Sequence, residues 1–136
     1  MKYLLDSNAW IAVFRGRSHS LVRSLEVCTP TDIVLCSVVL AELWYGVFRS
    51  RTEDQARNRI LIEQLQSRHL SLSFDTEAAM EAAAIRAELA AAGTPIGPYD
   101  LQIAAIARNS QLVLVTNNTA EFSRVPNLLM EDWQQP

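Results

Sequence analysis

The sequence predicts an α/β domain with a central parallel sheet flanked by helices. Short apolar segments rich in Val, Ile and Leu alternate with longer helical segments along the chain, a pattern typical of strands joined by helical crossovers. Gly, Pro and capping residues separate most of these segments. The 136 residues contain no internal repeat, low-complexity tract or linker, so a single domain over residues 1–136 is expected.

Five segments have the composition of strands. Short runs of Val, Ile and Leu predict buried strands, whereas the strict alternation in Leu70-Ser71-Leu72-Ser73-Phe74 predicts a half-buried one. The apolar triplet Leu128-Leu129-Met130 predicts an edge strand at the end of the chain. In order, the predicted strands are residues 2–5, 33–36, 70–74, 112–115 and 128–130.

Turn and cap residues indicate the first helices. After a turn at residues 6–8, a helix is expected over residues 9–15 until Gly16 interrupts it. Ser18 or Ser20 begins a second, short helix that runs through residue 25. A turn, Pro30-Thr31-Asp32, then precedes the second strand.

The middle of the chain carries two further helix starts. Ser37 is the predicted N-cap of a helix over residues 38–49. The sequence Thr52-Glu53-Asp54-Gln55 matches a capping box, which predicts a helix from there to about residue 68.

The last helices are also marked at their ends. Asp75 or Thr76 caps an Ala-rich helix that runs to residue 92 and is stopped by Gly93. Gly97-Pro98 places Pro at the first position of a helix ending near residue 109. A short helix is expected near residues 120–122.

The totals exclude several classes of protein. With 49% hydrophobic and 20% charged residues, the composition is that of a globular protein, and no apolar stretch is long enough to cross a bilayer. The N-terminus meets Asp6 too early to resemble a signal peptide, so a cytoplasmic location is expected. Cys28 and Cys36 form no metal-binding pattern, and the two His residues are isolated from them, which argues against a zinc site.

Acidic side chains converge on one edge of the predicted sheet. Asp6 and the polar cluster Thr116-Asn117-Asn118 follow strands directly, and Asp100 begins a crossover helix on the same edge. Glu42 lies in an apolar helix, on a face whose Val, Tyr and Gly are unlike a solvated stripe. Glu121 is one helical turn beyond the fourth cluster. Acids gathered without a neighbouring Lys predict a divalent metal site and phosphodiester chemistry.

Each of these residues also has an ordinary structural explanation. Asp6 can cap a helix, although Ser7 or Asn8 could do so equally well and leave Asp6 free to point outward. Asp100 in a first helical turn is stabilised by the helix dipole. The net charge of −3 argues against a broad basic surface for nucleic acid, but eleven Arg and a single Lys suit bidentate phosphate contacts.

Short motifs lie along nearly the whole chain: Asp6-Ser7-Asn8, Ala41-Glu42-Leu43 with Tyr45-Gly46, Ile96-Gly97-Pro98-Tyr99-Asp100, Thr116-Asn117-Asn118-Thr119-Ala120-Glu121-Phe122 and Glu131-Asp132-Trp133. Together they resemble the motifs of PIN domains, and most closely those of VapC toxins of bacterial type II toxin–antitoxin systems. The sequence departs from the family in two places. Ser7 replaces the usual Thr and keeps its hydroxyl, and Asn118 stands where many PIN domains have a fourth Asp.

The resemblance implies a PIN-like three-layer fold and an endoribonuclease that depends on Mg²⁺ or Mn²⁺. It implies that Asp6, Glu42 and Asp100 bind the metal as catalytic acids, with Glu121 substituting for the fourth. It further implies tRNA as the RNA substrate, a homodimer, and inhibition by a VapB antitoxin in a higher assembly that contacts DNA only through the antitoxin. The expected location is the bacterial cytoplasm, with no membrane contact.

Three other classes of protein also gather acids at strand ends. A phosphatase of the haloacid dehalogenase type needs a second Asp where this chain has Asn8. A receiver domain needs a Lys on the rim, and the only Lys is Lys2 at the start of the first strand. A PIN-fold module that binds RNA or protein without cleaving it is the remaining alternative, and the acidic balance favours it slightly.

Overall fold

Five parallel strands form one sheet in the computed structural model of this chain, which describes residues 1–135. They lie in the order β3-β2-β1-β4-β5, and each pairs in parallel with its neighbours. The α/β fold with a parallel sheet is therefore confirmed. The strands are β1 (Tyr3–Leu5), β2 (Ile33–Cys36), β3 (Ser71–Leu72), β4 (Val113–Val115) and β5 (Leu129–Glu131).

Helices flank this sheet. Helix α5 packs along α6, and α3 contacts α1, α4 and α6. Every helix within residues 1–135 falls short of the length and hydrophobicity needed to cross a bilayer. The helices are α1 (Ser7–Phe14), α2 (His19–Glu26), α3 (Ser37–Phe48), α4 (Thr52–Arg68), α5 (Thr76–Ala92), α6 (Pro98–Asn109) and α7 (Thr119–Phe122).

The core explains the continuous apolar runs in the sequence. Strand β2 is buried along its whole length, and Leu4, Leu5 and Leu114 in the central strands are fully buried. A parallel sheet covered by helices buries both faces of its central strands, so their residues have no reason to alternate. The lateral strand β3 differs, because it pairs with β2 alone. It is shorter than the predicted residues 70–74.

Two predicted helix caps are wrong. Ser37 lies inside α3, and its hydroxyl accepts a hydrogen bond from the Phe74 N–H at 3.1 Å, which ties the segment after β3 to α3. The capping box at Thr52 does not form, because helix α4 begins at Thr52 itself after Arg51. The predicted cap at Asp75 is confirmed, since its carboxylate accepts the Ala78 N–H at 2.9 Å.

Candidate functional site

The order of the strands reverses between β1 and β4, at the centre of the sheet. From β1 the chain continues to β2 and β3 on one side, whereas β4 leads to β5 on the other. In open α/β sheets, ligands bind in the crevice outside the strand ends at such a point. Asp6 follows β1 and Thr116 follows β4, and these are the only buried polar or charged residues found among residues 1–135.

Asp6 caps a helix and belongs to this crevice at the same time. Its Oδ1 accepts the Ala9 N–H at 2.8 Å, which makes it the N-cap of α1. Burial raises its pKa; hydrogen bonds from Thr116 and Ala9 oppose this, and the charge of Asp132 adds to it. Of the caps that the sequence left open, the structure uses Asp6 and not Ser7 or Asn8, because the Asp6 carboxylate satisfies the exposed helix end itself.

Glu42 faces this crevice from the middle of α3. The Ser7 hydroxyl, freed from capping, donates a hydrogen bond to Glu42 Oε1 at 3.1 Å. Burial raises the pKa of Glu42; the Ser7 hydrogen bond opposes that rise and the charge of Asp6 reinforces it. Glu42 is thus a partly buried carboxylate close to Asp6, as its apolar surroundings in the sequence indicated.

Asp100 has a pKa raised by burial and by the charges of the three other acids. It lies in the first turn of α6. Its pKa is raised to about 6, first by burial and then by the charges of Glu121, Glu42 and Asp6. A stabilising interaction with the helix dipole would favour the charged form, so these opposing influences outweigh it. The three other acids that the sequence singled out are therefore near enough for their charges to act on Asp100.

Glu121 is held more firmly than the other acids. Its Oε1 accepts the Gly97 N–H and its Oε2 accepts the Asn118 side-chain amide, each at 2.9 Å. These two hydrogen bonds are the main reasons that its pKa is lowered, and a hydrogen bond with Asp100 contributes as well. Glu121 is consequently the carboxylate that stays ionised beside Asp100, while Asn118 acts as its donor.

The donor set suits a hard divalent cation. None of the four acids takes part in an ion pair within the part of the chain that the structure describes, although the charge of Arg124 contributes weakly to the lowered pKa of Glu121. Carboxylate oxygens are the protein ligands that Mg²⁺ and Mn²⁺ favour. Over residues 1–135, however, no three His, Cys, Asp or Glu side chains are arranged closely enough to hold a metal ion together. The acids are coupled by charge without forming a closed ligand shell.

The sequence did not predict the roles of Asp132 and Thr116 in this site. Asp132 follows β5 directly and acts on the pKa of Asp6. The predicted last strand, residues 128–130, ended one residue too early to place Asp132 at a strand end. Thr116 was predicted at the sheet edge as part of a polar cluster, but its contacts were not: its hydroxyl holds Asp6 and accepts the Asn118 N–H at 3.0 Å.

Arg108 has a structural role. In the sequence it could equally have been a solvated charge or a phosphate contact. Its guanidinium pairs with Glu81 and Glu88 on α5 and donates to the Pro126 carbonyl at 3.0 Å. These contacts tie α6 to α5 and to the segment before β5, so Arg108 is not available to a substrate.

Comparisons with known proteins agree with this geometry. Residues 3–128 match the PIN domain family. The chain is 39% identical to a tRNA(fMet)-specific endonuclease VapC from Salmonella typhimurium and 41% identical to one from Shigella flexneri, in each case over 98% of both chains. It also superposes on the crystal structure of DNA-bound VapBC from Salmonella typhimurium, with a TM-score of 0.90, 39% identity and 98% coverage of each chain.

Proposed function

Since the chain belongs to the PIN domain family, we propose that it is the toxin of a VapBC-type toxin–antitoxin pair, an endoribonuclease that cleaves tRNA. The observation that carries this proposal is that four acids lie near the centre of the sheet, where burial and the charges of the other three raise the pKa of Asp100. Two relatives are named as endonucleases specific for tRNA(fMet), so initiator tRNA is the first substrate to test.

We assign the binding of a divalent cation, Mg²⁺ or Mn²⁺, to Asp6, Glu42 and Asp100, with Glu121 as the fourth acid. Such a cation, when bound, stabilises charge on the phosphodiester and lowers the pKa of water. Hydrogen bonds from neighbouring residues hold the acids in position for this cation. Ser7 holds Glu42, and the hydrogen bonds of Thr116, Gly97 and Asn118 fix Asp6 and Glu121.

Protonation of Asp100 makes the site depend on pH. Its pKa of about 6 means that the carboxyl becomes fully charged only around neutral pH in the metal-free protein. A cation among the acids would favour the charged form and lower this pKa. Asp100→Asn and Asp6→Asn should therefore abolish cleavage, because each removes a charge that the cation requires.

The partner of this toxin is a VapB-type antitoxin that holds it inactive. One solved relative is a VapBC complex bound to DNA, and the net charge of −3 on this chain suits a complex in which the antitoxin makes the DNA contacts. We also propose that the single domain forms a homodimer. Exposed apolar side chains on α3 and α4, Phe48 and Ile60, are candidates for that interface.

Cleavage of purified tRNA tests the proposal directly. The pure chain is incubated with total tRNA and Mg²⁺ or Mn²⁺, and new 5′ ends are located by sequencing. Cuts should be confined to one position of one or a few tRNAs, and EDTA should stop them. Asp6→Asn is the matched control. Cleavage that persists with EDTA or in Asp6→Asn would overturn the metal-dependent assignment, and intact tRNA throughout would favour a binding module.

A further inference from the structure

A cavity of about 690 Å³ lies beside the acid cluster. Its volume falls in the range of about 300–1,000 Å³ that is usual for small-molecule sites. The cavity shares Ser7 and Glu42 with the cluster, whereas its other walls include Tyr45, Arg49 and Tyr99. Metal binding requires none of these last three, so their position next to the acids needs another explanation.

Two tyrosines of this cavity expose their rings to solvent. Tyr45 on α3 is 66% exposed and Tyr99 on α6 is 61% exposed, so neither ring is used in the core. Exposed aromatic rings beside a nuclease site offer a surface on which an unpaired base can stack, whatever its identity. Tyr99 lines the same cavity as Glu42, which places such a base beside the acids.

Arg49 supplies a positive charge on the same wall. Its guanidinium carbon lies 5.4 Å from the centre of the Tyr45 ring, a cation–π contact that holds the side chain over α3. Within residues 1–135 it makes no ion pair, whereas Arg51, Arg57 and Arg108 all do. An Arg without an acidic partner can form a bidentate contact with a phosphate.

The charge of Arg49 continues along the surface. Arg49 and Glu42 also line a neighbouring cavity of about 860 Å³, together with Arg15, Arg51 and Arg57. Like Arg49, Arg15 has no ion-pair partner among the residues that the structure describes. Arg51 and Arg57 are paired with Glu53 and Asp54, so Arg49 and Arg15 are the positive charges that this surface offers beside the acid cluster, although the chain as a whole is acidic.

We propose that the 690 Å³ cavity binds the nucleotide next to the cleaved bond, with its base stacked on Tyr99 and its phosphate held by Arg49. Tyr45 is a positioning residue, since it orients Arg49. Asn8 and Gln102, which also line the cavity, provide amides for the edge of the base. A base can enter only when it is unstacked and unpaired, so the substrate segment is a single-stranded loop. The inference rests on the proposed nuclease function.

Binding of RNA, measured without cleavage, tests this inference. The Asp6→Asn protein is titrated in Mg²⁺ into hairpin RNAs that carry 2-aminopurine at successive loop positions. One position should lose fluorescence on binding. Tyr99→Ala should abolish that quenching and weaken binding roughly 10- to 100-fold, the range for one stacked base. Tyr99→Phe keeps the ring and should behave like the parent protein.

Arg49 is tested by the salt dependence of the same binding. Arg49→Gln should weaken binding and reduce the slope of log affinity against log salt by about one. Arg49→Lys should keep the slope but lose part of the affinity, because Lys cannot form the bidentate contact. Arg86→Gln is the matched control, since Arg86 is exposed on α5 and lines none of the cavities named above.

The outcomes separate this inference from the proposed function. If the wild-type chain cleaves tRNA with metal but Tyr99→Ala and Arg49→Gln bind and cleave as it does, the inference is wrong and the nuclease function stands. If the wild-type chain neither binds nor cleaves RNA, both are wrong. Melting temperatures check that the variants are folded, and the two positions are independent should one variant fail to fold.

Discussion

The hydroxyl of Ser7 donates a hydrogen bond to Glu42 Oε1 at 3.1 Å, which joins the start of α1 to the middle of α3 across 35 positions of sequence. The preceding residue, Asp6, caps α1 and lies in the crevice. Two adjacent side chains thus perform two tasks, one as a candidate ligand and one as the support of a second ligand. Polar partners of this kind orient metal-binding carboxylates and are nearly as important as the ligands.

Removal of the Ser7 hydroxyl should weaken the binding of metal. In Ser7→Ala, Glu42 loses the hydrogen bond that lowers its pKa and fixes its orientation. We expect the affinity for Mn²⁺, measured by calorimetric titration of the EDTA-treated protein, to fall about 10- to 100-fold. Ser7→Thr keeps the hydroxyl and is the control. Equal affinities for Ser7→Ala and wild type would show that this hydrogen bond does not orient Glu42 for the metal.

The metal-free protein should lose stability as the pH rises toward neutrality. The pKa of Asp100 is about 6 in the folded protein, against an ordinary value of 3.8. From the lower value to just above the higher one the folded state binds more protons than the unfolded state, so stability falls as pH rises from about 4, through the folded pKa, to about 7 and then levels. Scanning calorimetry in EDTA should show this decline in melting temperature between pH 5 and 7.

Asp100→Asn provides the control for that pH dependence. The amide cannot ionise, so the variant should be more stable than wild type in EDTA at pH 7.5 and less sensitive to pH between 5 and 7. Mg²⁺ or Mn²⁺ should raise the melting temperature of wild type at pH 7.5, since binding to the folded state stabilises it, and should have little effect on the variant. An unchanged pH profile in Asp100→Asn would contradict this origin.

Neutralisation of Glu121 should lower the pKa of Asp100. The charge of Glu121 follows burial as the largest influence that raises this pKa, so Glu121→Gln should shift the titration of Asp100 toward its ordinary value. Carboxyl ¹³C NMR of the metal-free protein measures this shift. Glu63→Gln, an exposed residue of α4, is the control and should leave Asp100 unchanged. No shift in Glu121→Gln would place Glu121 outside the cluster.

Loss of the Arg108 side chain should destabilise the fold without changing the affinity for RNA. Arg108 joins α6 to α5 through Glu81 and Glu88 and is 14% exposed. Arg108→Met removes charge-assisted hydrogen bonds, which are worth about 1.5–3 kcal/mol each, and we expect a loss of about 2 kcal/mol in urea unfolding. The affinity of the folded variant for RNA should match wild type. Weaker binding by the folded variant would mean that Arg108 contacts the substrate.

Much of the site could be predicted because parallel strands share one direction. Asp6 directly follows β1 and Thr116 directly follows β4, so the rule that strand ends meet at one edge brought them together without knowledge of any contact. Glu42 was identifiable because a carboxylate among apolar helical neighbours has no solvated face. Asp132 was missed because the predicted last strand ended one residue before the observed strand, whose end is marked only weakly by composition.

The amino-acid sequence by itself determined the fold class and singled out four acids as candidates, because strand and helix periodicity and the ends of elements are local properties of the chain. The tertiary structure alone decided how those acids are held: Asp6 caps α1, Ser7 donates to Glu42, and Asn118 and Gly97 donate to Glu121. It also decided that Arg108 forms an ion pair with Glu81 of α5. Hydrogen bonds and burial depend on which distant segments pack together, and several partners of equal chemistry compete for each group until packing selects one.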